Sequence, residues 1–349
     1  MTVDAMATLD IGLRGASVVL TLMLAGLLAR DLRERTVGRM GAAFALGVAA
    51  FAVWSAPNLA VRDSLLAIPL ICFAAGNNII FWLLARSLFD DDFREKPWHA
   101  GIWLAVAATA VAARDQNLSQ AIDRLLALQA IAFATLAVVQ TIRSWSDDLV
   151  EGRRRLRLVL VPMAAAYILA NGWGHLSGHG SSSSPILSLI GAAVLCAIAL
   201  GSAWVMLDVV PGALWLPKRD DGPSEAALAT LDSADRPLLV ALEHALHFDR
   251  IYRQDRLSIA ALARHLGTPE YRLRRLINQG LGHRNFSSFL NAYRLAEAEA
   301  ALRDASQAKV SVLTIAMDCG FASLGPFNRA FRARSGMTPT QYRERGTDG

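Results

Sequence analysis

Hydrophobic and polar positions divide the chain into two differently patterned parts. Over the first 207 residues, seven apolar stretches alternate with short polar connectors, at roughly 11–29, 40–56, 65–88, 99–113, 125–142, 156–173 and 185–207. A helix needs about 20 apolar residues to cross the hydrocarbon core of a bilayer, within a range of about 17–25. The third and seventh stretches meet that with room to spare, and the fourth is the shortest. A helix on a soluble core shows a polar face every 3.6 residues, yet LIGAAVLCAIALGSAWVML in the seventh stretch has none. The pattern therefore predicts a transmembrane domain over 1–208. PGALWLPKRDDGPSEAALATLDSADRP then carries four prolines among scattered charges. It reads as a juxtamembrane linker over 209–234, with a short helix near Ser224–Leu231. From 235 to 345 the periodicity is again helical, with ordinary charge content, so the predicted fold is all-α throughout.

Charge sharpens this division. Mean hydropathy is +0.33 and only 19% of residues are charged, below the usual quarter. Residues 1–233 hold 18 Lys and Arg against 19 Asp and Glu, whereas 234–349 hold 17 against 11. The positive excess sits in the C-terminal third, which suits a polyanionic partner there and a bilayer elsewhere. With the C-terminus in the cytoplasm, the inner connectors carry twelve basic residues: Arg30, Arg33, Arg35, Arg39, Arg86, Arg94, Lys96, Arg143, Arg153, Arg154, Arg155 and Arg157. The outer ones carry Arg62, Arg114 and Arg124, with Arg14 at the outer edge of the first span. Twelve against four follows the positive-inside rule for an odd number of spans with the N-terminus outside. Five spans would give the same sidedness if the fourth and fifth stretches failed to cross as a pair. Trp98 and Trp173 fall near the expected interfaces, where indoles are favoured.

Arg outnumbers Lys by 32 to 3, which reads as genome base composition rather than as function. Cys72, Cys196 and Cys319 show no CxxC spacing, so neither a zinc site nor a disulfide framework is predicted, and the three read as small buried residues. The N-terminus lacks the basic region and cleavage site of a signal peptide.

Polar residues within the spans are the candidate sensing positions. Asn77 and Asn78 lie in the middle of the third stretch, Gln129 and Gln140 in the fifth, and Asn171 and His175 at the end of the sixth, with His179 beyond it. Polar groups in hydrocarbon face a partner helix or a cavity, and the sequence leaves both readings open. The i,i+4 pair His175 and His179 lies among Gly and Ser and reads as loop, so no metal site is predicted. Ala197 and Gly201 form a small-xxx-small pair, a spacing that supports helix contact or a homodimer.

In the C-terminal part, LSIAALARHLGTPEYRLRRLINQGLG has the layout of a helix-turn-helix. Ile259, Leu262 and Ala263 form an apolar stripe, Gly267 permits the turn, and Thr268 and Pro269 suit the N-cap and first helical positions. Leu273, Leu276 and Ile277 point inward, leaving Tyr271, Arg272, Arg274, Arg275 and Asn278 for the outer face. Arginine on a short second helix suits the major groove, where it pairs bidentately with guanine or holds phosphates. The plan repeats about fifty residues later in VSVLTIAMDCGFASLGPFNRAFRARSGMTPTQYR. There Val312, Ile315 and Ala316 form the stripe, Gly320 ends the first helix and Ser323 caps the second. Phe327, Ala330 and Phe331 point inward, while Asn328, Arg329 and Arg332 are exposed. An amphipathic helix over about 286–302 joins the two units.

This region, about 105 residues, resembles the AraC-type helix-turn-helix transcription regulators of bacteria. The most specific match is IAMDCGFASLGPFNRAFRARSGMTPTQYR, supported by LSIAALARHLG, by Gly282 with Phe286, and by FLNAYRLAEAEAAL. The resemblance implies two recognition helices joined by a long linker helix and entering successive major grooves of double-stranded DNA. It carries the contacting positions onto Tyr271, Arg274 and Arg275 in the first unit and onto Leu324, Gly325, Pro326, Asn328 and Arg329 in the second. Leu-Gly-Pro offers no side-chain hydrogen bond to a base edge, though Leu324 can touch a thymine methyl. The first unit, with Asn328 and Arg329, is therefore expected to carry most direct readout, and the second to act more through phosphates and DNA shape. Many members have a Ser cap followed by Pro one place later than Thr268-Pro269.

The functional expectation is a multi-pass regulator of the inner membrane. It binds promoter DNA in the cytoplasm and answers an unidentified small molecule or membrane protein. No cofactor, metal or catalytic residue is predicted. A transporter or membrane enzyme fused to a DNA-binding domain is the alternative. Against it stand the absence of a visible repeat, of intramembrane charge and of clustered His, Asp or Glu; the one acidic run, Asp90-Asp91-Asp92, sits in a connector. Passive tethering would need one or two helices rather than seven.

Overall fold

The computed structural model describes residues 3–31, 36–57, 64–89, 93–114, 119–143, 149, 151–178, 184–209, 235–255, 257–283 and 285–347. The linker 210–234, the helix expected near Ser224–Leu231, His179 and the acidic run 90–92 lie outside these residues. The fold is all-α, with fourteen α-helices and no strand among the described residues. It comprises two compact units.

The first unit contains α1 (Val3–Asp31), α2 (Thr36–Trp54), α3 (Ala67–Phe89), α4 (Pro97–Ala112), α5 (Ser119–Arg143), α6 (Glu151–Leu176) and α7 (Pro185–Val209). Among the described residues, five of them, α1, α2, α3, α5 and α7, are long and apolar enough to cross a membrane. The fourth has 16 residues, as its short apolar stretch predicts. The sixth runs for 26 residues but opens on EGRRRLR and contains Pro162.

Small residues bring these helices close together, as they do where apolar burial from water cannot drive association. α2 packs between α1 and α3 and buries Gly38, Gly41, Ala42, Ala45, Gly47, Ala49, Ala50 and Ala52. A Cβ at Gly41 would stand 3.0 Å from Leu28 of α1, and one at Gly47 would stand 2.2 Å from Asn77 Oδ1 of α3. Gly76 likewise lets Trp103 of α4 lie against α3. Large apolar side chains such as Leu22, Met23, Leu104 and Trp204 point outward.

Charge occurs inside this unit where the sequence reading had none. Arg14, counted there as an outer-edge positive charge, is buried within α1. Its Nε donates to Asp10 Oδ2 at 2.9 Å, and its guanidinium also reaches the Ala52 carbonyl at 3.3 Å and Ser188 Oγ at 3.2 Å. Ser188 in turn donates to Asp10 Oδ1 at 3.0 Å. The i,i+4 spacing of Asp10 and Arg14 is visible in the sequence. What closes their network, the Ala52 carbonyl of α2 and Ser188 of α7, is not. A buried charge persists only when paired and hydrogen-bonded, and this pair ties α1, α2 and α7 together.

The second unit contains α8 (Arg236–His247), α9 (Ile259–His265), α10 (Glu270–Arg275), α11 (Phe286–Arg303), α12 (Val312–Asp318), α13 (Leu324–Ser335) and α14 (Pro339–Thr347), with a 3₁₀ turn at Ile251–Arg253. Side-chain caps start several of them: Ser258 accepts from the Ala261 amide at 3.2 Å, Asn285 from Ser288 at 3.1 Å and Ser311 from Thr314 at 3.0 Å. Each satisfies an amide that the first helical turn leaves unpaired.

α11 serves two cores. Its first half contributes Phe286, Phe289 and Leu290 to a cluster with Leu262, Leu273, Leu276 and Ile277. Its second half contributes Leu295, Ala298 and Leu302 to a cluster with Ile315, Phe327 and Phe331. Polar contacts key the 3₁₀ turn to the same helix. Arg294 Nε donates to the Tyr252 carbonyl at 2.7 Å and its Nη2 to the Gln254 carbonyl at 3.0 Å, while Glu297 accepts from Arg250 and Arg253.

Candidate nucleic-acid interface and bundle cavity

In the first helix-turn-helix unit, α9 leads through Gly267, with φ of +62°, into α10. Pro269 is the N-cap and Glu270 the first helical residue, one place later than the Thr268 cap expected from sequence. Extended backbone at Pro269 forms the entry to the helix. Leu273, Leu276 and Ile277 are fully buried, as their spacing predicts. After Arg275 the helix widens into a π turn, Leu276–Gly280, which has no signature in the apolar pattern.

The five outer-face candidates of this unit part company. Tyr271 is 68% exposed. Arg274, expected outward, is only 8% exposed; it turns back along the helix to Glu270, Nε to Oε1 at 2.8 Å. Asn278 lies in the π turn and donates to the His283 carbonyl at 2.9 Å. Arg272 and Arg275 both reach Asp235, Nη2 to Oδ1 at 2.9 Å and Nη2 to Oδ2 at 2.7 Å.

Asp235 went unnoticed in the sequence because it precedes α8 and lies 37 residues before Arg272. Its carboxylate is 2% exposed. Hydrogen bonds from Arg272 and then Arg275 hold its pKa below the ordinary carboxylate value, against the opposing effect of burial. Each arginine makes this contact through one terminal nitrogen of a guanidinium that carries five N–H groups.

In the second unit, α12 leads through Gly320, with φ of +93°, to Ser323 and α13. Ser323 occupies the N-cap without a side-chain cap bond. Phe327 and Phe331 are fully buried, and Leu324, Asn328, Arg329 and Arg332 are exposed. Arg334, two residues beyond Arg332, pairs with Glu299 at 2.9 Å. Among the described residues, Arg329 and Arg332 have no carboxylate partner. Cys319 is buried in the core, and desolvation, reinforced by Glu297, pushes its thiol up to about 12.

The sensing candidates come together in the first unit. Asn77, Asn78, Asn171 and His175 all line one cavity of about 610 Å³ to which all seven helices contribute. Asn77 is 8% exposed, and its Oδ1 has no hydrogen-bond partner among the described residues. Asn171 Nδ2 donates to the Tyr167 carbonyl at 3.0 Å. Gln129 stays outside the cavity, with neither side-chain polar atom bonded among the described residues. The helical period fixes the faces of single helices, but only their packing makes four positions on α3 and α6 converge.

Two comparisons bear on the interface. Residues 262–345 match the family model described as a helix-turn-helix domain. A probable transcription factor PqrA of Proteus vulgaris is 29% identical over 98 residues, which is 28% of this chain and 77% of that protein. No solved structure gives a significant match. The C-terminal unit is an AraC-type helix-turn-helix domain, and the matches do not extend to the seven apolar helices.

Proposed function

We propose that the protein is a membrane-embedded, one-component transcription regulator. Its domains are a transmembrane sensor over 1–208, a juxtamembrane linker over 209–234 and a DNA-binding domain over 235–345. The observation that carries this reading is the presence, in one chain, of five helices apolar enough to span a bilayer and a domain with two arginine-bearing recognition helices. The connector charges favour an N-terminus outside the inner membrane and a DNA-binding domain in the cytoplasm.

On this reading α10 and α13 enter successive major grooves. Tyr271, Arg272 and Arg275 read bases and hold backbone from α10. Leu324, Asn328, Arg329 and Arg332 do so from α13. Arg274 and Asn278 support the shape of α10 through their bonds to Glu270 and His283. A signal acts by favouring one of two arrangements of the bundle, for which it must bind the two with different affinity. The linker passes that difference to the spacing or pairing of two DNA-binding domains.

Chromatin immunoprecipitation of the full-length protein tests the reading. The expected result is a set of discrete promoter peaks, lost when Arg329 and Arg275 are both replaced by alanine. Replacing 1–207 with an unrelated single-helix anchor separates sensing from tethering. Peaks that change with growth condition in the native protein, and no longer change in the chimaera, are expected. A chimaera that still responds would leave the bundle as an anchor.

A further inference from the structure

The cavity in the helical bundle has chemistry that selects a ligand. Its volume, about 610 Å³, lies within the roughly 300–1,000 Å³ of small-molecule sites. It follows α3 from Ile71 to Leu88, about 25 Å along a helix rising about 1.5 Å per residue. The polar and apolar parts of its wall are segregated. At one end, where α4 closes and α5 opens, Arg114 and Asp123 are exposed, and His175 of α6 stands with them. At the other end the lining is Leu28, Leu84, Leu88 and Leu160. Between these lie the amides of Asn77, Asn78 and Asn171.

We infer that this cavity binds an uncharged single-chain amphiphile whose head group both donates and accepts hydrogen bonds, with a fatty amide as the type. The inference rests on reading α1–α7 as a membrane-embedded sensor. Three features select the class. The long, largely apolar end accepts one alkyl chain, and the Ser202 hydroxyl that lines it is already donated to the Ile198 carbonyl at 2.7 Å. The charged groups at the mouth, Arg114 and Asp123, have opposite signs, so the site favours neither a cation nor an anion, and a lone ionised group in so apolar a space would be strongly disfavoured. The middle of the cavity holds side-chain amides with capacity to spare. Asn77 Oδ1 is shut against Gly47, with no donor and no accessible surface, whereas Asn78, on the next position of α3, is half-buried and lines the cavity with no hydrogen-bond partner for its side chain among the described residues. A primary amide head group can donate to the Asn78 side-chain carbonyl and accept from its NH2 group. A ligand seated there touches all seven helices, so occupancy would bias their packing directly.

The test uses the full-length protein in lipid nanodiscs with dodecanamide carrying a diazirine on its alkyl chain. After irradiation, mass spectrometry is expected to find label on cavity-lining positions of α3 and α6, competed by plain dodecanamide and at least tenfold less by dodecanoate. Asn78→Leu should reduce that label tenfold or more. Ala75→Phe, which fills the lining from α3, should do the same while retaining native helicity and DNA binding. Label confined to outward residues such as Leu22, Met23 and Leu104, or cavity label indifferent to both variants, would overturn the site. Extraction of lipids from the purified protein distinguishes the sources: a co-purifying neutral amphiphile identifies a membrane component, and binding only on addition identifies a supplied molecule. Promoter occupancy measured with and without dodecanamide separates the inference from its premise. Cavity labelling without a change in occupancy would uphold the site and remove the sensor reading. Signal-dependent occupancy without cavity labelling would uphold the sensor and remove this ligand.

Discussion

The two helix-turn-helix units share a plan and differ in how their arginines are held. In α10, Arg272 and Arg275 share the buried carboxylate of Asp235, and Arg274 is folded onto Glu270. In α13, Arg329 and Arg332 are exposed and unpaired among the described residues. The first arrangement fixes guanidinium positions before DNA arrives, at the expense of net charge. The second leaves charge available and its geometry loose. Fixed forks suit base edges, which demand a defined geometry, and loose cations suit phosphates, which tolerate many. On the proposed reading, the first unit, with Asn328 and Arg329, carries most of the base readout and the rest of the second unit acts more through phosphates.

The turns of the two units differ as well, and here the largest effect is expected. Gly267 and Gly320 both have positive φ, but a Cβ at Gly267 meets open space. One at Gly320 would stand 2.6 Å from the Tyr252 carbonyl oxygen and 2.7 Å from Arg253 Cα. Gly267→Ala should therefore cost only the left-handed strain, about 1–2 kcal/mol. Gly320→Ala should cost more than about 3 kcal/mol, because the clash is with backbone. Denaturation midpoints of the full-length protein in detergent measure both, and equal shifts would show that the turns are equivalent.

Removing the carboxylate that distinguishes the first unit comes next. Asp235→Asn should lower the stability of the DNA-binding domain by about 1–3 kcal/mol, the arginine side being partly exposed. It should also raise non-specific affinity and steepen the salt dependence by about one unit of slope, since one negative charge is lost beside two cations. The ratio of specific to non-specific binding should fall. If that ratio is unchanged, Asp235 does not position the arginines for readout.

Substituting the arginines themselves sharpens the division. Arg275→Ala should cost about 1–3 kcal/mol on the preferred site and relax its sequence. Arg332→Ala should weaken all sequences alike and reduce the salt slope by about one. Competition assays over a range of salt separate the two patterns, and the reverse assignment would exchange the roles of α10 and α13.

Acid should act through the same carboxylates. Asp235 is lowered by Arg272 and Arg275. Glu297 is lowered because Arg253 and Arg250 outweigh its burial. A carboxylate whose folded pKa is depressed stabilises the fold above its unfolded value, about 4, and that contribution is lost as pH falls through the folded value. The denaturation midpoint should hold from pH 7 to about 5 and fall below about 4, with a shallower fall in Asp235→Asn. The smallest effect concerns Cys319, whose thiol at about 12 should stay unmodified by iodoacetamide at about pH 8 until the protein is unfolded.

The sequence by itself determined the elements and the inward faces. Apolar runs without a polar face marked the helices of the first unit. The 3.6-residue period then placed Leu262, Leu273, Ile277, Phe327 and Phe331 in their cores, because helix geometry and apolar burial are local properties of the chain. Gly267 and Gly320 were equally legible as turns, because positive φ is a demand that glycine meets best. Only the tertiary structure decided which polar side chains meet. The pairing of Asp235 with Arg272 and Arg275, the closure of Asp10 and Arg14 by Ser188 and Ala52, and the convergence of Asn77, Asn78, Asn171 and His175 on one cavity all join residues far apart in the chain. Hydrogen bonds act over about 3 Å, and no periodicity along a sequence records which distant groups are brought that close.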